Sequence, residues 1–455
     1  MQAANKPLQN PLLTNPIPDL IRMIGVPVGI GTFFSTMYNV VDTYYAGLIS
    51  REALAALSLS FPIYFIIVAL AYGLSTGNTA LMGNALGSGK RKEAERFAVQ
   101  GIVYGAALSV LVTAVGILVS PALFTILGAT DQYLAISLSY INPIFYATIL
   151  FVTVQMLNAI LNAIGNTKPG RNFLIFGFFL NLALDPWFIY GGFGVPAMGV
   201  MGIALATVLA QLLGCFYLGW EVWRSGMVTG MSLRRYLWPQ ITAVSQITRQ
   251  GFPNIVDLNS VTLGFFVVTY FVSQFGQAAV AAFGAGARIE QVALLPLLGL
   301  EVATISLVAQ NNGANLSQRV LDTVRLGVRY GLIIMLVGGA LIAIFAAPLM
   351  DIFSDDPEVI AIGAVYVRIK ALALLPSAYF FVYAASLKGV KRPVYALILS
   401  MSRMVIIPSI TIFILVQFLG FGLETIWWMM AVATFIVGAV AYVMARRLLP
   451  EERKG

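Results

Sequence analysis

The chain has 455 residues, of which 59% are hydrophobic and only 10% are charged, and its mean hydropathy is +0.87. Soluble domains carry about 25% charged residues, so this composition excludes a soluble protein and indicates helices that cross a membrane. The net charge of +8 does not indicate a nucleic-acid partner, because the basic residues lie in short connections between apolar segments.

Apolar segments long enough to cross a bilayer recur along the whole chain. A transmembrane helix needs roughly 20 such residues. We therefore predict an all-α polytopic membrane protein without a sizeable soluble domain. The twelve predicted helices lie near residues 19–44, 54–85, 95–125, 133–164, 172–190, 197–222, 245–273, 279–311, 322–351, 358–388, 394–418 and 424–447.

Lysine and arginine concentrate in the connections that follow the even-numbered helices. The opposite connections, such as residues 128–132 and 354–358, hold almost none, with Arg51 as the exception. Since these residues accumulate in cytoplasmic loops, both termini are predicted to be cytoplasmic. The first 18 residues lack a basic segment leading into a short apolar core, so we expect no cleaved signal peptide. The basic residues counted are Lys90, Arg91, Lys92, Arg96, Lys168, Arg171, Arg224, Arg234, Arg235, Arg249, Arg319, Arg325, Lys388, Lys391 and Arg392.

The two halves of the chain resemble each other at an offset of 226 residues. This offset aligns Gly25 and Pro27 with Gly251 and Pro253. Six helices is an even number, so both halves run in the same direction through the membrane. Parallel repeats of this kind indicate two lobes with a substrate cavity between them. We predict an N-lobe over residues 1–223, a cytoplasmic linker over 224–246 and a C-lobe over 247–455.

Carboxylates inside predicted membrane helices are the strongest functional signal in the N-terminal half. Asp42 lies in the first helix, and Asp185 lies in the fifth, one turn after Asn181. A charge at that depth costs at least about 2.5 kcal/mol, which favours a functional role over a structural one. Two neighbouring carboxylates resist being charged together, so such a pair can take up a proton. Pro186 cannot donate to the carbonyl of Leu182, which leaves an acceptor free beside Asp185.

The C-terminal half does not repeat this acidic pair. The offset places Val268 at the position of Asp42, and the segment 405–409 near the position of Asp185 contains no carboxylate. Asp257 and Glu301 are the weaker candidates in this half. They either form a substrate or second ion site or pair with Arg288, and the residues alone leave both interpretations open.

Several classes of chemistry are excluded by missing residues. The chain has no histidine and one cysteine, Cys215, so no metal site and no catalytic group is predicted. The sequence of residues 83–94, GNALGSGKRKEA, is similar to that of a phosphate-binding loop. Its glycines are one residue too far apart, and Arg91 replaces the required Ser or Thr. We therefore predict no enzyme, no nucleotide and no cofactor, with transport driven by a proton or sodium gradient.

The six-plus-six repeat and five segments together resemble the MATE family of multidrug and toxic compound extrusion transporters. The segments are VDTYYAG, GNALGSGKRKEA, LNAIGNTKPG, NLALDPWFIYG and GVMGIALATV. The acidic pair is most similar to the DinF-type branch of bacteria and archaea. The resemblance implies a V-shaped pair of six-helix bundles in the cytoplasmic membrane, surrounded by lipid. It implies antiport of cationic amphipathic drugs or toxins against protons or sodium by alternating access.

The resemblance also implies which residues act. The family's cation site maps onto Asp42, Asn181, Asp185 and Thr207, with Asn158 nearby. Bending of the first helix is part of the family mechanism, and Pro27 is the hinge candidate in this chain.

A second function that this architecture serves is a lipid-linked oligosaccharide flippase. Such a cavity needs several cations to hold pyrophosphate. The predicted membrane interior offers four: Arg288, Arg368, Lys370 and Arg403. Transport of a bound lipid by a protein with a positive cavity would favour this alternative over drug export.

Overall fold

The structure is a computed structural model that describes residues 10–126 and 128–450. The predictions about the termini and the signal peptide concern the ends of the chain, which lie outside the described residues. Within the described part the chain is almost entirely helical. The helices are α1 Pro11–Thr14, α2 Ile17–Ile49, α3 Arg51–Gly87, α4 Arg91–Ile126, α5 Asp131–Tyr146, α6 Thr148–Ala163, α7 Lys168–Tyr190, α8 Val200–Arg224, α9 Gly230–Tyr236, α10 Ile241–Ser273, α11 Gln277–Gly313, α12 Ser317–Ile344, α13 Ala346–Asp351, α14 Pro357–Gly389, α15 Pro393–Met401, α16 Ile407–Ile412 and α17 Leu423–Leu448.

The number of membrane-spanning helices agrees with the sequence. Eleven helices are long and apolar enough to cross a membrane, and α5 with α6 forms a twelfth span that is bent by 47°. The bend lies at Ala147, one turn after Pro143, which interrupts the hydrogen bonding of the helix. The all-α architecture of twelve transmembrane helices is thus confirmed.

The eleventh span is irregular in its centre. Two π-helical segments, Ser402–Ile406 and Phe413–Phe418, interrupt the α-helical hydrogen bonding. The first lies just before Pro408, whose ring would clash with the carbonyl of Met404 in a regular α-helix. That carbonyl instead approaches α10 so closely that a Cβ at Gly264 would overlap it. The glycine is therefore required by packing between the two spans.

The predicted linker contains ordered structure. It includes the short helix α9, and α10 begins at Ile241, earlier than predicted. The Gln100 side chain, which is buried on α4, donates to the carbonyl oxygens of Tyr236 and Trp238 at 2.6 and 2.8 Å. It also accepts from the backbone N–H of Gln240 at 2.7 Å. These bonds hold the linker against the N-terminal half.

The two halves meet where α2 and α3 pack against α10 and α11. At Gly25 and Gly299 the backbones approach so closely that a side chain on Gly299 would overlap the Gly25 carbonyl. The 226-residue offset relates this contact to a second one, between Gly251 and Gly73, in which a Cβ on Gly251 would lie 3.6 Å from the Gly73 carbonyl oxygen.

A further pair of contacts obeys the same offset. A Cβ on Gly87 would overlap the carbonyl oxygen of Gln310, and one on Gly313 would overlap that of Asn84. Because each contact occurs twice with exchanged roles, the two parallel six-helix repeats are related by a local two-fold axis.

The close contacts between the halves lie toward one end of the helices. Gly87 and Gly313 are the last residues of α3 and α11. We call this end the terminal side, since Leu12 and Leu449 pack into one buried cluster there. Polar side chains add to the junction: Asn84 Nδ2 donates to the carbonyl of Gly389 at 2.8 Å, and Asn312 Nδ2 donates to Asn84 Oδ1 at 2.6 Å. The halves are therefore closed against each other on the terminal side.

Candidate functional site

Four of the predicted site residues come together from three helices of the N-terminal half. Asp42 on α2 lies beside Asn181 and Asp185 on α7 and beside Thr207 on α8. All four are buried, with exposed fractions of 6% for Asp42, 0% for Asn181 and Asp185, and 4% for Thr207. Both aspartates lie toward the helix ends that face away from the terminal side. We call these four residues the acidic cluster.

The acidic cluster has more oxygen atoms than hydrogen-bond donors. Asn181 Nδ2 donates to Asp185 Oδ1 at 3.0 Å, as expected for residues one turn apart on a helix. Among the described residues, no partner is present for Asp42 Oδ1, Asn181 Oδ1, Asp185 Oδ2 or Thr207 Oγ1. Buried oxygen atoms without partners are costly. A proton or a monovalent cation bound among them would supply the missing partner.

The cluster is not suited to a transition metal. Within the described residues, no group of three or more His, Cys, Asp or Glu side chains is arranged to hold a metal ion. Two carboxylates, an amide oxygen and a hydroxyl are hard oxygen donors, which suit protons or hard cations.

The carbonyl that Pro186 deprives of a helical partner is not free. Tyr45 on α2 donates its hydroxyl to the carbonyl oxygen of Leu182 at 3.3 Å. The carbonyl was expected to be free and instead accepts one hydrogen bond from the neighbouring helix, while its second lone pair stays available. This bond ties α7 to α2, close to Asp42 and Asp185, and α7 continues through Pro186 to Tyr190.

Three tyrosines that the sequence analysis did not single out surround Asp42. Tyr38 on α2, Tyr64 on α3 and Tyr140 on α5 all lie close enough to interact electrostatically with its carboxylate. The hydroxyl of Tyr38 is buried and has no partner among the described residues. Tyr38 was recognisable, since it lies one turn before Asp42. The sequence does not indicate that Tyr64 and Tyr140 lie near Asp42, because only the packing of α3 and α5 brings them close to it.

Asn158 does not join the acidic cluster. Its side chain contacts α7 at Gly170, where an added Cβ would overlap Asn158 Oδ1. Gly170 lies fifteen residues before Asp185 on the same helix, a separation of about 22 Å at 1.5 Å per residue. The structure thus places Asn158 on the terminal side, far from the two aspartates.

Pro27 lies where the two halves touch. It is buried inside α2, between two glycines that the backbone of α11 approaches: a Cβ on Gly299 would overlap the Gly25 carbonyl and lie 3.1 Å from the Gly29 nitrogen. A change of bend in α2 at Pro27 would therefore act directly on the contact between the halves.

Asp257 and Glu301 pair with Lys388 and not with Arg288. Lys388 Nζ lies 2.8 Å from Asp257 Oδ2 and 2.9 Å from Glu301 Oε1. Lys388, which the topology prediction counted as a loop residue, is the buried penultimate residue of α14. Arg288 is exposed and forms no ion pair within the described part of the chain. The expectation of an Arg288 partner is therefore wrong, because α14 supplies a buried ammonium group.

A second ion pair and an arginine lie in the same half. Lys370 Nζ lies 2.9 Å from Glu290 Oε1, and the Tyr366 hydroxyl donates to Glu290 Oε2 at 2.8 Å. The guanidinium carbon of Arg403, in the first π-helical segment, lies 4.0 Å from the ring centroid of Phe380. Arg403 Nε is buried and has no partner among the described residues.

The MatE family model matches the chain in two segments, residues 27–187 and 253–414. They begin at residues 27 and 253, a separation of 226 residues, which is the offset of the internal repeat.

Curated relatives match nearly the whole chain. A protein of Shewanella oneidensis named FAD transporter is 26% identical over 442 residues, 96% of each chain. A probable multidrug resistance protein NorM of Thermotoga maritima is 26% identical over 415 residues, 91% of this chain and 87% of its own. The multidrug export protein MepA of Staphylococcus aureus is 23% identical and covers 94% of both chains.

Solved structures share the fold. A transporter of the MOP superfamily from Pyrococcus furiosus superposes with a TM-score of 0.89 at 23% sequence identity, over 96% of this chain and 97% of its own. Its description refers to a binding pocket of reverse polarity. A MATE structure in the bent conformation superposes with the same TM-score at 24% identity, over 96% of each chain.

Proposed function

The chain belongs to the MatE family of membrane transporters, and from this we propose that it exports cationic amphipathic drugs or toxins in exchange for protons. The acidic cluster carries the proposal. Asp42 and Asp185 are buried together with oxygen atoms that have no partner among the described residues, and a proton gradient can act on such a pair without a cofactor or nucleotide.

The coupling follows from competition for one negative charge. A cationic substrate is attracted to the N-terminal half while the carboxylates are charged, and protonation removes that attraction. Proton and substrate therefore oppose each other's binding, which is the negative coupling that antiport needs. Sodium is the alternative coupling ion, because the same four oxygen-bearing side chains can hold it.

The closed junction indicates which state of an alternating-access cycle the structure represents. If the terminal side faces the cytoplasm, as the distribution of Lys and Arg predicts, the contacts of Gly87 with Gln310 and of Gly313 with Asn84 close the cytoplasmic side. The acidic cluster then lies in the outer half of the membrane, where it can receive protons from outside. Residues 1–223 and 247–455 are the two lobes that rock about the junction.

Efflux from proteoliposomes tests this function. Purified protein is reconstituted, a cationic dye is loaded, and a proton gradient and a sodium gradient are imposed one at a time. We expect dye transport under the proton gradient and none under the sodium gradient. Transport under the sodium gradient alone would show that sodium, and not the proton, is the coupling ion. Absence of transport under both gradients would contradict dye antiport altogether.

A second candidate function is export of a compound that carries an anionic group. Arg403 supports it, because an arginine inside a span whose Nε has no partner among the described residues can donate to a carboxylate or phosphate. The Shewanella relative named FAD transporter makes a flavin nucleotide the first compound to test. Arg403→Gln should reduce FAD transport and leave dye transport unchanged. Equal effects on both substrates would remove this candidate.

The flippase alternative has less support from the buried charges. Of its four candidate cations, Arg288 and Arg368 are exposed, and Lys370 is neutralised by Glu290. One of the four cations is therefore unavailable to pyrophosphate, whereas the exposed arginines stay available, because side chains that line an open cavity are exposed.

A further inference from the structure

Three helices of the C-terminal half converge on one buried ammonium group. Lys388 on α14 contacts Asp257 on α10 at 2.8 Å and Glu301 on α11 at 2.9 Å. Its side chain is 7% exposed, and those of Asp257 and Glu301 are 15% and 7% exposed. We call these three residues the lysine triad. Both of its distances are typical of charge-assisted hydrogen bonds.

The lysine triad resembles an occupied cation site. Two carboxylates from different helices hold one positive charge between them. A further oxygen lies nearby in sequence: Asn254, one turn before Asp257 on α10, is buried, and its Oδ1 atom has no partner among the described residues. The position that a monovalent cation would take between the carboxylates is filled by the end of a side chain.

The acidic cluster of the other half is built differently. It also holds two buried carboxylates, but Asp42 and Asp185 form no ion pair with a lysine or arginine in the described part of the chain, and one oxygen of each lacks a partner. One half thus holds a covalently attached cation beside its two carboxylates, whereas no lysine or arginine takes that place in the acidic cluster among the described residues.

We propose that the Lys388 ammonium group is a built-in cation that fills a two-carboxylate cation site, so that the C-terminal half needs no transported ion. A tethered ammonium group satisfies Asp257 and Glu301 in every state, because it cannot leave for either side of the membrane. Ion exchange is thereby confined to the N-terminal half. Removal of the ammonium group leaves two buried carboxylates that a monovalent cation of suitable size, such as sodium, can occupy. This inference rests on the proposed ion coupling at the acidic cluster and does not depend on which compound is exported.

The test is the sodium dependence of thermal stability in purified full-length protein. The parent is Asp185→Asn, in which one carboxylate of the acidic cluster is removed so that its own response to sodium is weakened. Lys388→Met is added to this parent, and Tm is measured in sodium chloride and in choline chloride at equal ionic strength. The matched control is Lys370→Met in the same parent, because Lys370 is also a buried lysine but contacts a single carboxylate, that of Glu290.

We expect sodium to raise the Tm of the Lys388→Met protein by roughly 3 °C over choline, the size expected for a ligand present well above its Kd. The parent and the Lys370→Met control should not show this rise. Equal Tm values in the two salts for Lys388→Met overturn the proposal. An equal rise in the Lys370→Met control also overturns it, because the effect is then not specific to the two-carboxylate site.

A second variant covers the case in which Lys388→Met cannot be purified in either salt. The double variant Lys388→Met with Glu301→Gln has the same net charge as the original triad, because it loses one positive and one negative group. It should fold in both salts without a response to sodium. Failure of this double variant to fold shows that the lysine is needed for packing and overturns its role as a cation.

Discussion

The charged residues of the two halves do not match at the 226-residue offset. Asp42 of the N-terminal half corresponds to Val268 of the C-terminal half. Asp257 and Glu301 of the C-terminal half correspond to Gly31 and Ser75 of the N-terminal half. Each half therefore has a buried charged site, and neither site has a counterpart in the other repeat. The glycine contacts at the junction behave differently, since each occurs twice with exchanged partners.

Under the proposed function, this difference separates the motion from the ion chemistry. Rocking of two bundles about a local axis would need matching surfaces on both, and the paired glycine contacts are such surfaces. Coupling to a gradient needs a site that gains and loses a charge, and one such site per molecule is sufficient. Substitutions at the acidic cluster, the junction, the hinge and the lysine triad can establish whether the two roles are separable.

The largest effect is expected from Asp42→Asn and Asp185→Asn. Under the proposed function each removes a carboxylate that the coupling proton neutralises, so gradient-driven dye efflux should fall at least roughly tenfold, the loss expected for a charged hydrogen-bonded group worth about 1.5–3 kcal/mol. Protein level in the membrane should be unchanged. Asn158→Ala is the control, since Asn158 lies away from the cluster, and it should transport normally. Near-normal efflux by either aspartate variant would reduce that residue to a structural role.

Gly87→Ala should affect the junction rather than the ion site. The added methyl group would overlap the Gln310 carbonyl, which disfavours the state closed on the terminal side by about 1–3 kcal/mol. Accessibility of a cysteine introduced at Leu86 to a polar thiol reagent, measured in a Cys215→Ala background, should increase. Gly284→Ala on α11 is the control, because a Cβ there meets no atom within 4 Å. Unchanged accessibility in Gly87→Ala would show that the close contact persists in both states.

Pro27→Ala should slow turnover more than it weakens substrate affinity. The substitution restores a backbone donor to α2 and makes a bend there more costly. We expect one of the two states to be favoured by about 1–3 kcal/mol, the usual size of a coupling energy. Pro253→Ala is the control at the equivalent position of α10, which has no carboxylate corresponding to Asp42, and should be milder. Equal losses of turnover in the two variants would show that bending of α2 does not depend on protonation of Asp42.

The smallest effect is expected from Asp257→Asn. Lys388 would keep Glu301 as its partner, so the variant retains a neutral buried pair, and efflux should stay within about threefold of the original protein, or less than about 1 kcal/mol. The comparison is Asp185→Asn, measured in the same proteoliposomes. A loss as large as that of Asp185→Asn would place the coupling ion in the C-terminal half and remove the distinction between the two sites.

Much of the fold was predictable because its signals are local in the chain. Runs of apolar residues indicate the twelve spans, and paired Gly and Pro at one offset indicate the repeat. The acidic cluster was also within reach. Asn181 and Asp185 lie one turn apart, and a carboxylate in an apolar span is conspicuous on its own. Thr207 and the assignment of the cluster to one site depended on resemblance to a family.

By itself, the sequence determined the class of protein, the number of spans, the repeat and the two aspartates, because hydropathy, helix length and the cost of a buried charge are properties of single segments. Only the tertiary structure decided which groups those aspartates and the other carboxylates meet. Tyr45 reaches the carbonyl of Leu182, and Lys388 reaches Asp257 and Glu301. These partners lie on different helices, far apart in sequence, and their pairing is set by the packing of whole helices, about which the pattern along any one helix carries no information.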